Sequence, residues 1–395
     1  MVVAVVIAPF AYGGVAVACP VTVPYQRTSD RQAHWFIGRA LKALVDASGI
    51  DKSGIDGLAV SSFTLGSDTT VALTEHFDMS PRWIEWLPTG GASGVMALRR
   101  AARAVQCGDA EVVACIAGDT SGTGDFAALV RDFSRFSSQA TYPFGAAGPN
   151  GVFALITDHY MRRFGATRED FGRIAVAQRA NAAANPNALL GHKPLTMETY
   201  LGAAPVAEPL HLFDCVMPCA GGEAFLVMSE DRARRQGLRH ARLAGAIERH
   251  NAWFEDPVAT RGGWASDAPM LWEQAGMAPA DMDCLQTYDD YPVIVAMQIE
   301  DLGFCAKGEA AAFLRAHDLT VDGDFPQNTS GGQLSCGQAG AAGGFLPVVE
   351  ALRQVTGQTL GRQVQGARTA LASGYGMVTY DRCLATGAVV LEGVS

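Results

Sequence analysis

Hydrophobic and polar positions follow two rhythms along most of the chain. Over 31–48, Phe36, Ile37, Ala40, Leu41, Leu44 and Val45 recur at helical spacing, which predicts an amphipathic helix with one buried face. Short apolar runs bounded by Gly, Pro and Asp predict strands at 1–11, 57–61, 112–117 and 224–228. A Gly-rich turn at 87–94 leads into a helix over 95–106 that ends near Gly108. Further helices are predicted at 152–164 and at 168–184, the second stopped by Asn185-Pro186. The C-terminal part repeats the rhythm. Strands are predicted at 241–248, 284–287, 369–373 and 387–391, and helices at 270–275, 293–302 and 345–355. Strand–turn–helix–strand alternation of this kind defines an α/β fold.

Two Gly-rich turns look like one device used twice. Gly90-Gly91-Ala92-Ser93-Gly94 and Gly340-Ala341-Ala342-Gly343-Gly344 each precede a helix and then a strand. A separation of 250 residues is far too long for a solenoid, so the pattern predicts a duplicated domain. The halves are 1–235 and 236–395, with an insertion or lid at about 119–209 in the first. Each turn then delivers a helix N-terminus, able to stabilise developing negative charge, to a shared centre.

Composition changes this picture little. The 395 residues are 49% hydrophobic and 18% charged, ample for a core without disulfides or metals. The net charge of −10 argues against a nucleic-acid partner. No apolar run is long enough to span a membrane, and the apolar start lacks a basic flank, so a buried first strand in a cytoplasmic protein is expected. The nine cysteines are scattered without a CxxC pair, which predicts reduced thiols and no zinc site.

Several chemistries fall away. The eight histidines are dispersed, no GxSxG elbow exists, and Gly122-Thr123-Gly124-Asp125-Phe126-Ala127 is too degenerate for a dinucleotide site. Two segments stand out instead. Tyr288-Asp289-Asp290-Tyr291-Pro292 follows a predicted strand and opens a helix, with Pro292 suited to the first turn. Strand ends are where α/β sites gather, and a tyrosine with suitable neighbours can act as acid or base. Asn328-Thr329-Ser330-Gly331-Gly332-Gln333-Leu334-Ser335-Cys336-Gly337-Gln338 offers amide side chains that can bind a carbonyl oxygen or order a water.

In this order, the pieces resemble the thiolase superfamily, in particular the sterol-carrier-protein-x type of thiolase. The resemblance is carried by Thr89 to Gly94 with its helix and strand, Tyr142-Pro143-Phe144-Gly145, Asp214-Cys215, Tyr288 to Tyr291, Asn328 to Gln338 and Gly374-Tyr375-Gly376-Met377. It implies a duplicated fold in five α-β-α-β-α layers. It also exposes departures. Where a thiolase has its nucleophilic Cys this chain has Gly91; where it has the His of the Asn-Gly-rich segment, Gln338; where it has the second Cys, Ala372. No acyl-cysteine can form at the usual place. Cys336 is a candidate substitute nucleophile.

One branch fits these losses: the aldolases that shorten steroid side chains, to which Tyr288-Asp289, the run Gln298 to Glu309 and Asn328 to Leu334 are similar. That resemblance implies retro-aldol cleavage of a β-hydroxyacyl-CoA into a ketone or aldehyde and a shorter acyl-CoA, with Tyr288 as an acid/base residue. In that branch a second tyrosine stands where this chain has Gln338, and Tyr375 or Tyr291 is the candidate to supply the missing proton. Asn328, Gln338 and backbone N–H groups around Gly91 or Gly376 are expected to hold the thioester oxygen, and Asp289 and Tyr291 to contact substrate. Coenzyme A enters only as part of the substrate; no covalently bound cofactor or metal is expected.

The resemblance further implies a homodimeric core and a small partner carrying a zinc ribbon and an OB-like domain. Two alternatives remain open at this stage: a thiolase or acyltransferase with altered chemistry, and a non-catalytic subunit of a heteromeric acyl-CoA complex. The acyl group is undetermined, and Arg162, Arg163 and Lys193 are the candidates for the CoA phosphates.

Overall fold

The computed structural model of the chain describes residues 11–66, 69–122, 138–145, 148–379 and 382–394. The strand expected at 1–11 and the GxGxxA-like segment therefore lie essentially outside the described residues. The first described strand is β1 (Val15–Gln26), followed by α1 (Ala33–Ser48), β2 (Gly57–Ser61) and β3 (Trp83–Trp86). Then come the turn Gly90–Ala92, α2 (Ser93–Cys107) and β4 (Val112–Asp119). An inserted region carries α3 (Gly148–Phe164), α4 (Arg168–Ala182) and the small hairpin of β5 (Pro205–Ala207) and β6 (Leu210–His211). β7 (Ala220–Ser229) closes the first half.

The second half runs β8 (His240–His250), α5 (Trp264–Ala275), β9 (Cys284–Gln286), α6 (Pro292–Asp301), α7 (Ala310–Ala316) and α8 (Gly332–Cys336). The turn Gly340–Gly344, α9 (Leu346–Thr356), β10 (Thr369–Val378) and β11 (Cys383–Gly393) complete it. Gly374, expected to end its strand, lies inside β10, because Ala372 to Gly376 stay paired with β11.

Among the described residues one sheet has the order β3-β2-β4-β7-β1-β8-β11-β10-β9. The duplication is visible in it. β2 lies parallel between β3 and β4, and β9 lies parallel to β10 with a Leu285–Gln327 bridge on its other side. β4, β7 and β1 thus match β10, β11 and β8, all antiparallel within their triplets. α2 and α9 each touch strands of both halves and form the central layer. α1 covers the first half and α5 the second. This is the layered, duplicated α/β arrangement that the pattern predicts.

Burial explains the layers. Every residue of β2 and β4 is buried, as expected of strands covered on both faces. α2 buries Val95, Met96, Ala97, Leu98, Ala101, Ala102 and Ala104, and its alanines let it sit between the strands of the two halves. The inserted helices do not lie over their own half. α3 and α4 pack with α6 and α7 of the second half, where Phe153, Ile156, Phe171 and Ile174 share a core with Tyr288, Tyr291 and Val293. The first half therefore supplies part of the second half's outer layer.

Candidate active site

The two Gly-rich turns meet backbone to backbone. A methyl group on Gly94 would lie 2.2 Å from the Gly344 carbonyl oxygen, and one on Gly344 would lie 2.7 Å from that of Gly90. Only glycine permits this approach. The turns thus share a centre, with α2 beginning directly after Gly91 and Ala92.

Tyr288 comes to that centre from the end of β9. Its N–H donates to the Ser373 carbonyl at 3.1 Å, which anchors it beside β10. Its ring lies over Gly91. A methyl group there would be 2.1 Å from the ring carbon that bears the hydroxyl and 2.3 Å from the Tyr375 carbonyl oxygen. The room that a side chain at position 91 would need is thus filled by the phenol and by β10. The chain lacks the thiol at this place and also the space for one.

Gln338 approaches from the other side. It is held by backbone bonds, its N–H to the Met217 carbonyl at 2.8 Å and the Cys219 N–H to its own carbonyl at 2.9 Å. Its Nε2 donates to the Tyr288 hydroxyl at 3.1 Å and to Asp290 Oδ1 at 2.6 Å. Held by the same amide, the Tyr288 hydroxyl and the Asp290 carboxylate are near enough for each to shift the other's ionisation. Phenol, carboxylate and amide therefore form a three-membered cluster, with Tyr288 buried and the other two half-buried. Burial, then the neighbouring Asp290 charge, hold the Tyr288 phenol well above its ordinary range, so it is a neutral O–H donor at physiological pH. Burial pushes the Asp290 carboxyl up to about 8, against the downward pull of Tyr288, while Asp289 adds to the rise. Asp290 is the member of this cluster that the sequence pattern did not single out.

The other expected site residues have different places. Asp289, expected to contact substrate, is buried and turned away. It accepts from the Gln333 N–H at 3.0 Å, the Leu334 N–H at 3.3 Å and Gln333 Nε2 at 3.3 Å, and so fixes the start of α8. Asn328 is buried beneath the site, where its Oδ1 accepts from the Thr287 N–H at 2.7 Å. Tyr291 donates its hydroxyl to Asn150 at 2.6 Å and stacks on Phe153 at 4.0 Å, which joins it to the inserted helix α3. Tyr375, expected to move a proton, sits on the opposite face of β10 from Gly374 and Gly376, with its ring between Trp264 and Phe153. Gly376 meets the first turn through its backbone, since a methyl group there would lie 1.8 Å from the Thr89 carbonyl oxygen.

The thiols near this centre are poor nucleophiles. Cys336 is fully buried, donates to the Ser330 carbonyl at 3.3 Å and has its thiol pushed up by burial, which removes it as a substitute nucleophile. Cys219 is likewise buried and shifted upward, and half-buried Cys215 is pushed up to about 12. Among the described residues, no group of three or more His, Cys, Asp or Glu is placed to hold a metal ion. No described helix is long and apolar enough to cross a membrane.

A duplicated α/β frame whose paired Gly-rich turns meet at a central helix N-terminus, with a phenol packed over Gly91, defines a thiolase-type protein. Comparison with known proteins agrees. A family model for the thiolase C-terminal domain matches residues 245–386. A steroid side-chain-cleaving aldolase of Thermomonospora curvata is 30% identical over 382 residues, covering 93% of this chain and 96% of the relative. A 17-hydroxy-3-oxo-4-pregnene-20-carboxyl-CoA lyase of Mycobacterium tuberculosis is 30% identical over 354 residues, 86% of this chain and 90% of the relative. The solved Ltp2-ChsH2(DUF35) aldolase superposes with a TM-score of 0.84 at 28% identity, over 96% of this chain and 98% of that one. The chain belongs to the thiolase superfamily, in the branch of its aldolase and lyase members.

Proposed function

We propose that the chain is a CoA-thioester retro-aldolase. It cleaves a β-hydroxyacyl-CoA into a ketone or aldehyde and a shorter acyl-CoA, with no acyl-cysteine intermediate. The observation that carries this reading is the Tyr288–Asp290–Gln338 cluster standing where a nucleophile would need room. The names of the aldolase and lyase relatives support it.

The chemistry needs a group that takes the β-hydroxyl proton as the carbon–carbon bond breaks. A phenol far above its ordinary pKa cannot do this as a free phenolate. It can do so as a relay. Tyr288 oxygen accepts the substrate proton while its own proton passes to ionised Asp290. The bonding pair of the broken bond goes to the thioester enolate, and the carbonyl product leaves. The same dyad returns its proton to the enolate carbon, so the cluster ends the cycle unchanged. Gln338 holds both oxygens at fixed distances. The N-terminus of α2 next to Gly91 favours negative charge on the thioester oxygen.

Coenzyme A is part of the substrate in this reading, and the working assembly is a homodimer with a small zinc-ribbon and OB-fold partner. The DUF35 component in the name of the solved aldolase supports such a partner. The test is cleavage of branched β-hydroxyacyl-CoAs, followed by mass with no free CoA added, with and without co-purified partner. Release of a carbonyl product and a shorter acyl-CoA, largely lost in Tyr288→Phe, is expected. Turnover only with free CoA would favour a thiolase or acyltransferase instead.

A further inference from the structure

α6 is buried along its whole length, and Val293, Ile294, Val295, Met297 and Ile299 make it an apolar helix. Gln298 breaks that pattern at its centre. The side chain is completely buried, where an amide is costly unless every polar atom is paired. All of them are. Nε2 donates to the Tyr288 carbonyl at 2.7 Å and to the Ile294 carbonyl at 2.8 Å. Oε1 accepts from the Ser373 hydroxyl at 2.6 Å. Ser373 in turn accepts the Tyr288 N–H through its carbonyl. Both backbone polar groups of Tyr288 thus converge on one residue of β10, one directly and one through Gln298.

We infer that Gln298 is a positioning residue for the phenol relay. It fixes the Tyr288 peptide against Ser373 and so aims the hydroxyl at Asp290 and Gln338. It touches no substrate. An apolar side chain of similar volume would fill the same space inside α6, so packing alone does not require the amide. This inference rests on the aldolase reading for its catalytic meaning, while its geometric part can be tested without turnover.

The test uses Gln298→Met in the full chain, with and without partner. Two readouts are taken: steady-state cleavage of the β-hydroxyacyl-CoA, and a carboxyl 13C NMR titration of Asp290 assigned through Asp290→Asn. The groups facing Asp290 are Tyr288, Asp289 and Tyr291 on its own segment, with Gln338 and Cys215 from the neighbouring elements. The expected result is a kcat lower by roughly tenfold to a hundredfold, the size of effect that misplacement of a reacting group brings, with KM little changed. The Asp290 midpoint should move upward from about 8, because the pull of Tyr288 that lowers it is weakened. A merely structural role would lower the folded fraction and leave that midpoint in place. Ser373→Ala, which removes only the hydroxyl, should move both readouts the same way by less, and it decides the matter if Gln298→Met does not fold. A folded variant with an unchanged Asp290 midpoint overturns the inference. If the parent protein cleaves nothing, the aldolase reading fails, and the NMR midpoint still decides the geometric claim.

Discussion

Gly90-Gly91-Ala92-Ser93-Gly94 and Gly340-Ala341-Ala342-Gly343-Gly344 share a pattern, meet at the centre and open equivalent helices, yet they serve different ends. In the second turn the position matching Gly91 carries a methyl group, and the Ala341 N–H donates at 2.7 Å to buried Asp119. That carboxylate also takes bonds from Ser62, Phe63 and Thr64, so the second turn is bolted to the first half. In the first turn no side chain exists at the matching place, and the Tyr288 ring lies there. Duplication supplies the frame, and one missing side chain lets the second half reach across with its phenol, carboxylate and amide. The loss of a nucleophile is then a gain of room.

Removing the phenol oxygen should have the largest effect. Tyr288→Phe should lower kcat/KM for retro-aldol cleavage by about 1,000-fold while leaving the fold intact, as general acid–base groups of this kind contribute. Stopped assays on purified protein, with thermal unfolding as the control, measure it. Refilling the first turn comes next. Gly91→Ala should lower cleavage by about 100-fold, because the ring must move. The mirror change Ala341→Gly should keep cleavage and lose only about 1 kcal/mol of stability. Equal effects of the two would erase the asymmetry between the turns.

Asp290→Asn should reduce cleavage by about tenfold to a hundredfold and remove part of the pH profile. In the proposed relay ionised Asp290 is the acceptor, so the parent's kcat should rise with pH through about 8, and the variant's should be flat there. The smallest effect concerns stability. Burial raises the carboxyls of Asp289 and Asp301 to about 6, Glu223 to about 7 and Asp290 to about 8. Each holds its proton longer in the folded state, so their stabilisation is full below the unfolded values near 4 and is lost as pH rises to 6–8. Asp56 and Asp170 act oppositely, since their lowered values stabilise above about 4 and fail below it. Tm should therefore be higher at pH 5.5 than at pH 8.5 by about 3 °C, and Asp290→Asn should flatten the slope.

The duplicated frame was legible because turn chemistry and helix periodicity are local signals. Tyr288, which opens one recognisable segment, and Gln338, which ends another, were legible through the resemblance that those segments carry. Asp290 was not, because two adjacent acids at a strand end point apart, and only the packing of α8 shows that Asp289 faces inward to Gln333 and Leu334. Tyr375 misled because Gly374 and Gly376 suggest a turn, whereas paired β10 alternates its side chains and sends that ring to Trp264. β1 was hidden by its irregularity. Its pairing with β7 shifts register between Ala18 and Val21, around Cys19 at φ +56° and Pro20. The filled space over Gly91 has no sequence signal at all, since it joins residues 197 positions apart.

In the proposed reaction this chain breaks a carbon–carbon bond with a phenol relay and no thiol. The most direct measurement incubates the protein with a branched β-hydroxyacyl-CoA, without free CoA, and reads acyl-CoA masses alongside the intact protein mass. The expected result is a shorter acyl-CoA, a stoichiometric ketone or aldehyde, no acyl adduct on the protein, and product formation about 1,000-fold slower in Tyr288→Phe. An acylated protein, or full activity in Tyr288→Phe, would contradict it.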